Sequence, residues 1–158
     1  MTSGEWMPRA QWDALVRGEG CPACAEVTST ELANDEGFFV ADLGLSRVRL
    51  AANQFVTGYC VLLCHRHVRE PYELDTSECS LFFRDMMRVG RALDQVFTPL
   101  KMNFNILGNA VPHLHVHILP RFYGDPAPHR PIDPNDGQVF LKREEYRQRI
   151  ELIRAALS

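Results

Sequence analysis

The segment His113-Leu114-His115-Val116-His117-Ile118-Leu119 alternates histidine with aliphatic residues. Because successive side chains of a β-strand point to opposite faces, this period of two predicts a strand with three imidazoles on one face. The aliphatic residues on the other face can pack into a core. Histidine is a poor strand former and is costly to bury without a partner. Three histidines on one face therefore indicate a functional site rather than ordinary packing.

Two kinds of chemistry fit this row of imidazoles. Three histidines at alternate positions could converge on a zinc ion, although no carboxylate follows them to complete a hydrolytic site. Alternatively, a neutral imidazole is a nucleophile near neutral pH and could attack phosphorus, while its neighbours donate hydrogen bonds to the phosphate oxygens. A binding or adaptor protein without turnover is a third reading, and the pattern alone leaves all three open.

The rest of the chain predicts an α+β fold. The apolar run 59–64 indicates a buried central strand, and weaker strand patterns cover 38–41, 47–52 and 101–107. An apolar stripe with a capping pair, Asp75 and Glu78, predicts a long crossover helix over 76–97. We expect one domain over 1–158, with a mainly antiparallel sheet of about five strands. Its core covers about 21–122, followed by a Pro-rich loop over 123–141 and a C-terminal helix over 142–157.

Composition excludes several classes of protein. The chain has 158 residues, of which 46% are hydrophobic, and a formal net charge of −3, which argues against disorder and against nucleic acid as a partner. No apolar run approaches the roughly 20 residues of a membrane helix. The first ten residues do not form a signal-peptide pattern, and the five cysteines form no even disulfide framework. We therefore expect a cytoplasmic protein with free or metal-bound thiols and no membrane partner.

The histidine segment resembles the His-φ-His-φ-His-φ-φ motif of the HIT (histidine triad) superfamily of nucleotide hydrolases and transferases, where φ is apolar. Upstream, the chain resembles the family segment Asn … Pro-Gly-His … Pro-Lys-x-His through Asn53, Gly58 and His65-Arg66-His67. The resemblance covers about 38–122 and is closest in type to bacterial diadenosine polyphosphate hydrolase-like proteins of the Fhit branch. It implies a HIT-like fold, a homodimer and a nucleotide as substrate.

The resemblance also implies roles for individual residues. His115 corresponds to the nucleophile that becomes nucleotidylated, His117 to a contact with the phosphate oxygens, and His113 to a brace that sets the tautomer of His115. The activity implied is cleavage of an α-phosphate bond in a nucleoside polyphosphate or dinucleoside polyphosphate, with magnesium arriving on the substrate. Three asparagines are expected near substrate, one beside the nucleoside and two beside the phosphates or leaving group: Asn53, Asn105 and Asn109.

The sequence departs from the family pattern at two points. The loop 107–112 lacks the Ser or Thr that would protonate a departing amine, which disfavours a phosphoramidase of the Hint type and keeps it as the alternative activity. Thr57-Gly58-Tyr59 stands where the family has Pro-Gly-His.

The segment Cys21-Pro22-Ala23-Cys24, expected in a loop, supplies two thiols, too few to fill a tetrahedral zinc site. Some bacterial HIT proteins combine such a pair with two histidines to bind structural zinc. The resemblance implies that Cys21 and Cys24 join His67 and His113 here, with His65 as the alternative to His67. Four protein ligands would leave no open position, so such a zinc would be structural rather than catalytic.

Overall fold

The computed structural model describes residues 5–158. Residues 1–4, which belong to the predicted domain and to the segment without a signal-peptide pattern, lie outside the described residues. The described chain contains four α-helices and six strands. The helices are α1 (Arg9–Val16), α2 (Pro22–Thr28), α3 (Thr76–Phe97) and α4 (Arg143–Leu157). The strands are β1 (Ala33–Asn34), β2 (Gly37–Asp42), β3 (Ser46–Ala51), β4 (Cys60–Cys64), β5 (Lys101–Asn105) and β6 (His115–Arg121).

The strands form one sheet in the order β1-β2-β3-β4-β6-β5, and every neighbouring pair is antiparallel. This arrangement confirms the predicted α+β class and the antiparallel sheet. The sheet has six strands rather than about five, because the two-residue strand β1 is too short to produce a hydrophobic pattern. Helix α3 links β4 to β5 and passes across β6, which lies between them, as expected of a crossover.

One face of the sheet forms the main core with helices α3 and α4. In register, Val48 of β3 lies opposite Leu62 of β4, and Leu62 lies opposite Val116 of β6. These side chains are fully buried and pack with the apolar stripe of α3 and with Ile153 of α4. At Gly90 of α3, an added Cβ would lie 2.7 Å from the ring of Phe104 on β5, so this glycine permits close contact between helix and sheet.

Helix α3 begins and ends where its sequence predicts. The Asp75 carboxylate accepts hydrogen bonds from the backbone N–H groups of Ser77 and Glu78, and the Glu78 side chain bonds back to the Asp75 N–H. This reciprocal capping satisfies donors that the first helical turn leaves free. None of the helices described for this chain combines the length and apolar character needed to cross a bilayer.

Two local predictions are wrong. The cysteine segment is not a loop, because Pro22 occupies the first position of helix α2, where its fixed φ is favourable and its missing N–H is not needed. The histidine strand begins at His115 rather than at His113. The backbone N–H of Leu114 bonds the carbonyl of Val68, outside the sheet, and so the chain turns before it joins the ladder. Only two of the three imidazoles therefore lie on the strand.

Candidate active site

Strand β6 places His115 and His117 side by side on the face of the sheet opposite the main core. Across the sheet, His115 lies opposite Leu63, and His117 lies between Val61 of β4 and Asn105 of β5. Both imidazoles are half-buried, with ring centroids 4.9 Å apart and the planes nearly perpendicular. The two rings therefore form one small polar site next to the edge strand β5.

The imidazole of His115 is held by the backbone of His113. Its Nδ1 lies 2.6 Å from the His113 carbonyl oxygen. A carbonyl can only accept, so Nδ1 carries a proton in this contact and Nε2 of the neutral ring keeps its lone pair. A neutral imidazole with a free nitrogen lone pair can act as a nucleophile or a general base.

The imidazole of His117 has a different partner. Its Nδ1 lies 2.6 Å from the hydroxyl of Tyr59, and the two rings are stacked with centroids 5.9 Å apart. Burial, reinforced by the nearby His115, lowers the pKa of His117 to about 4, so the ring is neutral at pH 7. The sequence pattern alone does not assign Tyr59 a role. The only signal for it was the tyrosine at the end of Thr57-Gly58-Tyr59, where the family has histidine.

His113 does not share this site through its side chain. The imidazole is fully buried, and its Nε2 lies 2.7 Å from the carbonyl oxygen of Cys64. Because Nε2 must donate to that carbonyl, the lone pair of the neutral ring is on Nδ1, which points away from His115 and His117. Burial lowers the pKa of His113, which favours this neutral form. The three imidazoles therefore do not converge on one point, and the triad does not form a metal-binding set of three.

A second cluster forms around Nδ1 of His113. The side chains of Cys21, Cys24, His67 and His113 place one candidate ligand atom each within 4.8 Å of one another, in an arrangement that could hold a metal ion. Nδ1 of His67 also carries the lone pair, because Nε2 lies 3.0 Å from the Val16 carbonyl. Two bare ring nitrogens thus face each other at 3.2 Å. A cation between them would remove their repulsion.

Burial, reinforced by the neighbouring Cys21 thiol, raises the pKa of Cys24 to about 11, so a thiolate here needs a positive charge beside it. The exposed His65, the sequence alternative to His67, lies outside the cluster, with Nε2 3.2 Å from a carboxylate oxygen of Asp42.

Two buried arginines of β3 hold helix α2, and with it both cysteines, over the sheet. Arg47 donates to the carbonyls of Glu26 and Ser29 at 2.8 Å and 2.7 Å, and Arg49 forms an ion pair with the Glu26 carboxylate. Cys21 and Ala23 of this segment pack on Leu63 of β4. Helix α2 thus covers the histidine-bearing face beside His115.

The predicted substrate-contacting asparagines fall in three different settings. The side-chain amide of Asn53 donates to the carbonyls of Pro134 and Gly137 and accepts from the N–H groups of Phe55 and Val139, at 2.8–3.1 Å. Asn53 therefore ties the 53–58 loop to the Pro-rich segment.

The other two predicted asparagines lie closer to the imidazoles in sequence and in register. Asn105 is half-buried and lies directly opposite His117. Asn109 is exposed in the connection between β5 and β6. The side-chain oxygen of the third asparagine of this region, Asn103, accepts from Arg121 at 2.7 Å.

An open groove of about 890 Å³ runs along the edge strand β5, and neither His115 nor His117 lines it. Asn105, which lies opposite His117, is one of its lining residues. Arg121 in this groove is paired with Asp125, so the exposed Lys101 and Arg130 supply its remaining positive charge.

Comparison with known proteins agrees with this geometry. The sequence matches the HIT domain family over residues 33–124, more than half of the chain. The chain belongs to the HIT family. A curated relative, the asymmetrical bis(5'-nucleosyl)-tetraphosphatase of Schizosaccharomyces pombe, is 26% identical over 104 residues, which are 60% of this chain and 57% of the relative. The chain thus matches just over half of that relative's length.

Solved structures with the same fold include two HIT proteins. A histidine triad protein from Bradyrhizobium japonicum superposes with a TM-score of 0.72 at 29% identity, covering 78% of this chain and 92% of that one. A zinc-bound histidine triad family protein from Mycobacterium smegmatis superposes with a TM-score of 0.61 at 24% identity, covering 87% and 92% of the two chains. The HIT-like fold expected from the sequence is confirmed.

The depressed pKa of His117 makes stability depend on pH. Between about pH 6.5 and about pH 4, the unfolded chain binds a proton on this residue that the folded ring does not bind. Acid therefore favours unfolding, and the free energy of unfolding, from urea titrations at about pH 7 and about pH 5, should be lower at the lower pH. His117→Asn should reduce that difference, whereas His129→Asn, at an exposed position, should preserve it. An equal pH dependence in His117→Asn and the wild type would contradict this prediction.

Proposed function

We propose that this protein is a nucleotide hydrolase or nucleotidyl transferase that acts on an α-phosphate bond through a covalent nucleotidyl-His115 intermediate. The observation that carries the proposal is the 2.6 Å contact between His115 Nδ1 and the His113 carbonyl. It leaves Nε2 as the nitrogen with the lone pair, and the half-buried ring shares its site with a second neutral imidazole. A nucleophile and a hydrogen-bonding partner for a phosphate are what this two-step chemistry requires.

In the first step, Nε2 of His115 forms a bond to the α-phosphorus, and the bond from phosphorus to the bridging oxygen breaks with its electron pair leaving on that oxygen. In the second step, water attacks the same phosphorus and loses a proton to solvent, the P–N bond breaks with its electron pair returning to Nε2 of His115, and a nucleoside monophosphate is released. His117 would contact the non-bridging oxygens during both steps. An acceptor other than water in the second step would make the protein a transferase.

The substrate class we favour is a dinucleoside or nucleoside polyphosphate. The loop 107–112 has no Ser or Thr to protonate a departing amine, which disfavours phosphoramidates. The relative from fission yeast is named as an asymmetrical bis(5'-nucleosyl)-tetraphosphatase. Asn105 and Asn109 are our candidates for contacts with the phosphates or leaving group. Asn53 would shape the nucleoside side of the site through the loop that it ties down.

The covalent intermediate can be tested directly. Incubation with a dinucleoside tetraphosphate, a rapid acid-free quench and mass spectrometry should detect a nucleotidyl group on His115. His115→Ala should lose the adduct and reduce turnover by about 10³-fold or more, as removal of a nucleophile generally does. His65→Ala, at an exposed position outside the site and the groove, serves as the matched control. Wild-type turnover by His115→Ala would remove this mechanism.

We further propose that Cys21, Cys24, His67 and His113 hold a structural zinc ion. Zinc bond lengths of about 2.05 Å to nitrogen and about 2.3 Å to sulfur, at tetrahedral angles, imply ligand separations of about 3.4 Å for N–N and about 3.6 Å for N–S. The two nitrogens lie 3.2 Å apart, and the N–S separations are 3.2 Å, 3.5 Å and 3.6 Å. The fit of these distances, together with the two inward-facing lone pairs, supports zinc. When bound, the ion would fix α2 against the sheet. Magnesium has no comparable group in residues 5–158, and its arrival with the substrate stays a prediction.

Metal analysis tests the zinc site. The purified protein should contain about one zinc per chain, and Cys24→Ser should lose it, whereas Cys79→Ser, outside the cluster, should retain it. Removal of zinc by a chelator should lower the free energy of unfolding by at least about 2 kcal/mol, because the metal binds only the folded arrangement. Full stability after chelation would contradict a structural role.

We also propose that the protein is a homodimer with β5 at the interface. Strand β5 is the last strand of the sheet, and an uncovered edge strand can pair with a second chain. The exposed apolar residues Phe83 and Met87 of α3 lie about two turns and one turn before Gly90, which faces Phe104 of β5. Helix and edge strand thus form a continuous apolar surface, and a second copy of the chain would cover it.

Sedimentation analysis tests the dimer. The wild type should have the mass of two 18.0 kDa chains, and Met87→Glu should shift the protein toward the mass of one chain. Leu152→Glu, at an exposed position of α4, is the matched control and should leave the mass unchanged. A monomeric wild type would exclude this assembly.

A further inference from the structure

The tyrosine that bonds His117 is held in place from several directions. Its ring is nearly buried and packs with Val56, Leu119 and two residues of the Pro-rich segment, Ala127 and Ile132. The Tyr59 N–H donates to the carbonyl of Val56 at 3.0 Å. The hydroxyl therefore has little freedom to move away from the imidazole.

The turn before this tyrosine is equally constrained. Gly58 has φ +79°, and a Cβ at this position would lie 2.7 Å from the ring of Phe97. The buried side chain of Gln54 accepts from the Gly58 N–H at 3.0 Å and donates to the Tyr59 carbonyl at 3.2 Å. The backbone that carries Tyr59 is thus fixed on both sides of the residue.

The direction of the hydrogen bond follows from the protons available. Burial raises the pKa of Tyr59 and lowers that of His117, so at neutral pH the phenol is protonated and the imidazole carries one proton. In residues 5–158, the only recorded hydrogen-bond partner of the Tyr59 hydroxyl is Nδ1 of His117. If Nδ1 carried the ring proton, the hydroxyl hydrogen of this largely buried tyrosine would have no protein acceptor in residues 5–158, which is costly. With the phenol as donor, both groups are satisfied, and the ring proton lies on Nε2.

We infer that Tyr59 is a positioning residue that holds His117 in the tautomer with its proton on Nε2, so that His117 donates a hydrogen bond to the phosphate attacked by His115. The part of this inference that concerns the phosphate rests on the proposed function. The two neighbouring rings then have opposite tautomers, with a lone pair on Nε2 of His115 and a proton on Nε2 of His117. The opposite tautomer of His117 would direct a second lone pair toward an anionic phosphate and repel it.

The tautomer can be measured without substrate. The full chain, as purified with its metal and labelled with ¹⁵N-histidine, should give ¹H–¹⁵N correlations at neutral pH in which Nε2 of His117 is protonated and Nδ1 accepts a hydrogen bond. In Tyr59→Phe, which removes only the hydroxyl, this single tautomer should give way to a mixture. Tyr72→Phe removes the hydroxyl of an exposed tyrosine and should leave the spectrum unchanged. A wild-type His117 protonated on Nδ1, or an unchanged tautomer in Tyr59→Phe, would overturn the inference.

Single-turnover kinetics test the consequence for the reaction. With a dinucleoside tetraphosphate as the probe, Tyr59→Phe should slow formation of the His115 adduct by up to about tenfold, as expected when one neutral hydrogen bond is lost. Substrate binding should change less than this rate. An unchanged rate in a variant whose tautomer is lost would overturn the positioning role.

The covalent mechanism on His115 and the positioning role of Tyr59 can be contradicted independently of each other. If His115→Ala keeps full turnover, the covalent mechanism fails, whereas the tautomer of His117 is still decided by the spectra of the resting protein. If the adduct forms on His115 but the spectra show Nδ1 protonated on His117, the role of Tyr59 fails and the proposed function stands.

Discussion

The buried residue His113 links the His115 site to the cysteine cluster on the polar face of this sheet. Its carbonyl accepts a hydrogen bond from His115 Nδ1, its Nε2 donates to the carbonyl of Cys64 on the neighbouring strand, and its Nδ1 faces the two cysteines. The backbone of His113 thus contacts His115, whereas its side chain contacts the cysteine cluster. Movement of its main chain would change the hydrogen bond of His115, so the proposed zinc cluster and the proposed nucleophile share a structural element although they share no ligand.

The two faces of the sheet differ in composition and in the elements that cover them. The face toward α3 and α4 is aliphatic and carries the main core. On the other face, helix α2 and the Pro-rich segment cover the ends of the strands and leave His115 and His117 half-buried between them. Arg47 and Arg49 hold α2 there, and these two charged groups are themselves almost fully buried. Partial cover lowers the local dielectric while leaving both imidazoles partly exposed.

The sequence predicts features whose causes are local. Reciprocal capping by Asp75 and Glu78 sets the start of α3, and alternation of two residues identifies the core and polar faces of β6. The sequence also identifies Cys21 and Cys24 as candidate metal ligands. It does not predict that His113 lies outside the strand, because the Leu114 N–H bonds the carbonyl of Val68 and the His113 side chain bonds Cys64, a contact across 49 residues. The contact between Tyr59 and His117 spans 58 residues and was missed for the same reason. Helix α2 has a local signal, Pro22 at its first position, which the loop prediction did not use.

Three identical side chains at alternate positions become chemically different because each Nδ1 or Nε2 meets a different group. A carbonyl fixes a proton on Nδ1 of His115, a second carbonyl fixes a proton on Nε2 of His113, and a phenol occupies Nδ1 of His117. Tautomers of a neutral imidazole differ little in energy, so one hydrogen bond is enough to select between them. The motif therefore specifies three imidazoles close together in sequence, whereas the surrounding partners specify where each ring lies, which nitrogen carries a proton and which keeps a lone pair.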